Sequence, residues 1–262
     1  MLKNYSKKCK LYYFTKSITI SIICLFSFIN AHHGKDYFVV TSYDTPHKGE
    51  LLASLSIDNI TGESHHSESE NHSDIDKNDF SLEPGIIFGI RNNWTLEMHA
   101  HNSISNGVFI TESIAFESLI RIIDENSDHT HSNGFALPFS IAMLLEYGIG
   151  VNEIPDDLEF RFIIGKNLRL FSFVINLIAQ NTHEEHEHFQ YGLAFGLKSY
   201  LSKKIGGTLE FDMKLAENSE IHITPGINYS LMENFDFRSG TSININSENS
   251  KLNFRSMIIY SF

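Results

Sequence analysis

The sequence predicts an all-β fold, a 12-stranded antiparallel transmembrane β-barrel. Three observations carry the prediction: runs in which every second residue is apolar, an alternate face of glycines and single charges, and no later apolar stretch of helix-spanning length. Side chains alternate faces along a strand, so a period of two marks a sheet with one greasy side and one polar side. A spanning helix needs roughly 20 apolar residues, whereas a barrel strand crosses with about 9–11 alternating ones.

Residues 1–31 have the order of a secretory signal peptide: Lys3, Lys7, Lys8, Lys10 and Lys16, then ITISIICLFSFIN, then the small Ala31 before a polar segment. Cys9 and Cys24 both fall in this segment, so the mature chain offers no disulfide framework and no thiolate metal site. Subtracting its five lysines from 20 Lys+Arg leaves 15 against 32 Asp+Glu, a net charge near −17. Such a charge argues against nucleic acid or an acidic phospholipid surface as partner. Residues 32–49 (HHGKDYFVVTSYDTPHKG) are expected to form an N-terminal periplasmic arm, against the periplasmic end or in the lumen. Residues 50–262 form the barrel.

Leu51–Asp58 is the first expected strand, followed by the hydrophilic loop Thr61–Asp79. The hairpin Phe80–His101 shows the pattern most fully. Leu82, Pro84, Ile86, Phe88 and Ile90 alternate with Glu83, Gly85, Ile87 and Gly89; past Arg91-Asn92-Asn93, Trp94, Leu96, Met98 and Ala100 alternate with Thr95, Glu97, His99 and His101. Asn102–Gly107 reads as a polar loop. The remaining strands are expected at Ser113–Ile123, Phe135–Val151, Leu158–Ile164, Arg169–Leu177, Phe189–Leu201, Thr208–Leu215, Ile221–Leu231, Phe235–Ile245 and Leu252–Phe262. An even count puts both ends of the barrel on the periplasmic side. Thr61–Asp79 and Gln180–His188 then face outward as extracellular loops, and Asp124–Gly134 is a periplasmic turn.

The same greasy faces could form the core of a soluble β-sandwich. Strands there average about 5–6 residues, and their polar faces are solvated. Many runs here reach nine or more, and Gly85, Gly89, Gly192, Gly196, Gly226 and Gly240 punctuate the polar face, as crowding inside a closed sheet requires. Trp94, Tyr147, Phe189, Tyr191, Tyr229, Phe235 and Tyr260 sit toward strand ends, where membrane-interface belts form.

The last alternating run stops on Tyr260-Ser261-Phe262. With the signal peptide and the preceding strands, it resembles the outer-membrane β-barrel proteins of Gram-negative bacteria over roughly Glu50–Phe262. The resemblance implies location in the cell outer membrane, contact with its lipid and lipopolysaccharide, and Phe262 as a signal read by the barrel assembly machinery. His32-His33-Gly34, Leu82-Glu83-Pro84-Gly85, and Trp94 with Glu97, His99 and His101 are similar to a group of small uncharacterised porin-like barrels. That likeness implies fold and location but no substrate.

By strand parity the lumen-facing groups are Glu83, Glu97, His99, His101, Glu117, Arg121, Glu146, Glu159, Arg161, Lys198, Glu210, Asp212, Lys214, His222, Asp236, Arg238 and Arg255. Charges inside a barrel must be paired or wet, and Arg121 is the expected counter-ion for Glu83, Glu97 and Glu117. Acids outnumber bases in this lining, which predicts weak cation preference for any channel. Fourteen histidines cluster, with His65, His66 and His72 in one loop and His183, His186 and His188 in another. These could hold Zn, Cu or Ni only weakly, since tight sites need an ordered ligand shell. No resident cofactor is implied, and the loop run is not the helical H-E-x-x-H of a zinc protease.

Three function classes follow. One is a passive porin-like channel for small solutes or ions, with a metal-linked version; another is a non-conducting structural or surface-interaction barrel with acidic His-rich loops. The third, an outer-membrane enzyme, is not expected. Twelve-stranded phospholipases carry an Asn-His-Ser arrangement on the lipid-facing side, whereas His99, His101 and His222 lie on the polar face here.

Overall fold

The computed structural model describes residues 37–61, 78–125, 138–151, 154–168, 170–182, 189–202, 204–215, 219–246 and 252–262. The expected signal peptide lies outside these residues, as do His65, His66, His72, His183, His186 and His188.

The described chain is a closed barrel of twelve strands: β1 (Leu51–Thr61), β2 (Asn78–Arg91), β3 (Trp94–Ser105), β4 (Val108–Ile123), β5 (Ser140–Gly150), β6 (Asp157–Asn167), β7 (Phe171–Thr182), β8 (Gln190–Tyr200), β9 (Ile205–Leu215), β10 (Ile221–Met232), β11 (Phe235–Asn244) and β12 (Leu252–Ser261). Each strand pairs antiparallel with its sequence neighbours. The ring closes where β1 meets β12, with Leu52 opposite Ser261 and Asp58 opposite Arg255. Closure removes the sheet edges, whose unpaired backbone groups would cost several kcal/mol each in lipid.

Sidedness follows the alternation. Ile86, Phe116, Leu145, Tyr191, Ile227 and Phe254 point outward, each about half exposed, while Ile87, Ala115 and Leu144 beside three of them are buried inside. This continuous apolar girdle far exceeds the few hundred Å² that soluble monomers expose. It is a lipid-facing surface. Inward positions of β5 to β8 are small or apolar near one end, with Ala142, Leu144, Ile163, Val174 and Ala194 all buried.

The region after His101 departs from expectation. Asn102–Ser105 is strand rather than loop, and β4 begins at Val108, five residues before the expected Ser113. The turn is only Asn106-Gly107, both at positive φ (53° and 77°), which these two residue types tolerate and which suits the twist of a two-residue hairpin. A register shift between His101 and Asn102 absorbs one extra residue, and the Asn102 amide donates to the Leu82 and Ala100 carbonyls.

The N-terminal segment, residues 37–49, runs from the end of the barrel where β1 starts into the lumen. Tyr37, Val40 and Tyr43 are each only 3% exposed, packed against the inward Leu119, Ala142, Leu144, Ile163, Val174 and Ala194. The lumen is therefore partly filled by the chain's own backbone.

Candidate functional site

A buried irregular segment is tolerated only if its backbone polar groups find partners. Here side chains of the barrel supply them. The Glu210 carboxylate accepts hydrogen bonds from three consecutive backbone N–H groups, those of Phe38 (3.0 Å), Val39 (2.7 Å) and Val40 (3.1 Å). Such a run of N–H groups around one oxyanion is an anion-binding nest, and a charged acceptor strengthens each bond. Next along the chain, Thr41 N–H donates to Asn176 Oδ1 (2.7 Å), while Asn176 Nδ2 donates to the Thr41 carbonyl (3.0 Å). Arg161 Nη1 completes the seat by donating to the Val39 carbonyl (2.8 Å) and to Thr41 Oγ1 (2.9 Å).

Aromatic rings fit where the wall has no side chain. A Cβ built on Gly196 would lie 2.8 Å from the Tyr37 ring, and one on Gly240 would lie 2.9 Å from the Phe38 ring. Tyr43 crowds Gly165 in the same way and donates its hydroxyl to Glu125 (3.3 Å). Burial, with Asp44 and Glu125 beside it, holds that hydroxyl well above the usual phenol range, so it stays a neutral donor. Lower down, the Thr45 hydroxyl donates to the Asn92 carbonyl and Gly49 N–H to the Gly89 carbonyl, tying the segment to the β2–β3 turn.

The opposite wall carries charge. Glu97 of β3 stands directly across from Glu117 of β4, Glu117 from Glu146 of β5, and Glu146 from Glu159 of β6. Four carboxylates thus occupy one row across four adjacent strands. Neighbouring strands lie about 4.8 Å apart, and like charges placed opposite each other destabilise a sheet. Arg161 offsets part of this by pairing with Glu159, and the His99 imidazole lies 3.5 Å from Glu97 and 3.8 Å from Glu146.

Between this wall and the inserted segment is a cavity of about 320 Å³. Asp44, Asp58, Glu83, Glu97, Glu117, Glu146, Asp157 and Glu159 line it, against Arg161 and Arg255 with His99 and His101. A second cavity of about 180 Å³ lies beside Asp212 and Lys214. Val39, Glu159, Arg161 and Gln180 border both, so the Arg161–Val39 bond stands between the two spaces.

The residues named from sequence distribute as follows. Glu83, Glu97, His99, His101, Glu117, Glu146, Glu159, Arg161 and Arg255 meet around the larger cavity. Glu210 lies behind the inserted segment. Arg121, the expected counter-ion of the acidic strands, sits at the rim, with Nη2 3.1 Å from Asp124 and donating to the Asn92 carbonyl. Arg161 is the guanidinium placed among the carboxylates instead. Asp212 and His222 face each other at 3.3 Å, and Arg255 lies 3.7 Å from Asp58. Lys198 stacks over the Tyr200 ring, Asp236 and Arg238 are buried on β11, and Lys214 is exposed at the end of β9. Phe262 follows β12, its N–H on the Leu51 carbonyl and its ring edge-on to Tyr260.

Sequence reasoning missed Asn176 and gave Glu210 no specific role, although both hold the inserted segment. The apolar Tyr37-Phe38-Val39-Val40 inside a polar arm was the available signal.

No family model matches the chain, and no curated protein matches it. Solved structures do. The KdgM porin aligns with a TM-score of 0.55 at 12% identity, over 80% of this chain and 99% of its own. An outer membrane channel from Pseudomonas putida F1 aligns at 0.57 and 8% identity, over 86% and 100%. The NanC porin aligns at 0.57 and 7% identity, over 81% and 100%. The chain has the fold of porin-type barrels. At such identities the likeness is one of architecture, and it extends over nearly the whole of each relative.

Proposed function

We propose that this protein is an outer-membrane channel for small cationic solutes or ions, with its own N-terminal segment seated in the lumen as a plug. One observation carries the proposal: the row Glu97, Glu117, Glu146 and Glu159, held in register along one wall of a water-accessible cavity. A passing cation relieves the mutual repulsion of these groups, while an anion meets it. KdgM has been solved with disordered oligogalacturonate, a polyanion. Eight carboxylates against two guanidiniums favour the opposite charge here. The porin-type fold and the lipid-facing girdle support a non-enzymatic protein of the outer membrane, in contact with lipid and lipopolysaccharide and inserted by the barrel assembly machinery. The expected signal peptide is consistent with that route.

The test is current across planar bilayers containing the purified full-length barrel in a KCl gradient. Current whose reversal potential has the sign of cation preference is expected, and anion preference would sink the proposal. A second reading has its own support, the hydrogen-bonded seat of Tyr37–Thr41, which suits a permanently closed structural barrel. Absence of current from both the full-length protein and a Glu210→Ala variant would favour that reading.

A further inference from the structure

We propose that Glu83, His99 and His101 form a binding station for a divalent first-row transition-metal ion inside the lumen. The proposal rests on the channel reading for its role, since the station would hold a cation in transit. It does not rest on that reading for its existence. One ligand atom from each of the three residues lies within 4.8 Å of the other two. His101 Nδ1 is 3.7 Å from Glu83 Oε2, and His99 Nε2 is 4.0 Å from Glu83 Oε1. Two ligands of a tetrahedral ion at about 2.0–2.1 Å stand roughly 3.3–3.4 Å apart, so the two Glu83–imidazole gaps close by roughly 0.3–0.7 Å and the widest gap by up to roughly 1.4 Å, a side-chain adjustment, as the ion binds. Glu146 Oε1 lies 3.8 Å from the same His99 Nε2, beside the three-residue group.

Three further observations favour a metal over a chance meeting of side chains. His99 is only 5% exposed, yet its Nδ1 makes no hydrogen bond. Glu97 Oε1 lies 3.5 Å from that nitrogen, where a small ring rotation makes it the outer carboxylate that orients a metal-bound imidazole. The two imidazoles meet edge to face, with centroids 4.8 Å apart at 90°, and each has a ring nitrogen within 4.0 Å of the Glu83 carboxylate. Imidazole and carboxylate donors without thiolate suit Zn²⁺, Ni²⁺, Co²⁺ or Cu²⁺ rather than Ca²⁺ or Mg²⁺.

The experiment uses full-length barrel in detergent, titrated with Zn²⁺ by calorimetry and with Co²⁺ by visible absorption. His101→Gln and Glu83→Gln are the test variants because both side chains are partly exposed and their loss leaves the strands intact. A variant with His65, His66, His72, His183, His186 and His188 all changed to Ala reports any contribution from the loop histidines. The expected result is one tight Zn²⁺ per chain and a Co²⁺ band of low-symmetry coordination, kept in the loop variant. Each lumen substitution should weaken binding at least about tenfold. No metal uptake, or uptake lost only in the loop variant, overturns the station. Uptake with no cation-selective current would retain the station and remove the channel reading, so the two fail separately.

Discussion

The two walls of the lumen obey one rule of alternation and do opposite things with it. The β7–β11 side uses small residues and two buried polar groups, Asn176 and Glu210, to grip the inserted segment. The β3–β6 side uses carboxylates that repel one another and leaves open space in front of them. On the first wall Glu210 and Asn176 have fixed backbone partners in the segment, so they stabilise one closed arrangement. Charge on the second wall is balanced incompletely by Arg161, so it favours whatever cation enters. Arg161 belongs to both, since it pairs with Glu159 and also holds the Val39 carbonyl.

The contrast makes graded predictions. Glu210→Ala should have the largest effect, because it strips the acceptor from three buried N–H groups at about 1–3 kcal/mol each. Amide exchange at Phe38, Val39 and Val40 should accelerate strongly and bilayer current should rise, while heat-modifiable gel migration still reports a folded barrel. Gly196→Ala should unseat Tyr37 by steric overlap, costing about 1–3 kcal/mol, and exchange at the same amides measures it. Arg161→Lys keeps the charge but loses the forked contact to Val39 and Thr41. A cost of about 1 kcal/mol is expected, read as faster exchange of current between open and closed levels. The smallest effect belongs to Glu117→Gln, which removes a like-charge neighbour on both sides. It should leave the segment's amides protected, raise barrel stability toward urea by roughly 0.2–1 kcal/mol, and reduce cation preference.

Much of this architecture was legible in the sequence because strand parity needs no knowledge of the partner strand. Outward Ile86, Phe116 and Leu145 and inward Glu97, Glu117 and Glu146 follow from counting by twos. The Asn106-Gly107 turn reads in the sequence as part of a longer polar loop because of the polar residues around it, although Asn-Gly suits the positive φ of a two-residue hairpin. Register was not legible. That Glu97, Glu117, Glu146 and Glu159 share one row depends on where three hairpins turn, and a two-residue slip in one of them would separate the row without moving any side chain to the other face. The seat of the N-terminal segment was hidden for a related reason. Glu210 reads as one more lumen charge until the backbone of Phe38–Val40 is placed against it.

The acidic wall as a path for cations is tested most directly by the reversal potential of Glu210→Ala in a KCl gradient, compared with the same variant carrying Glu97→Gln and Glu117→Gln. A cation-sign potential that moves toward zero when the two carboxylates are neutralised is predicted. A potential of anion sign, or one unchanged by their neutralisation, would contradict it.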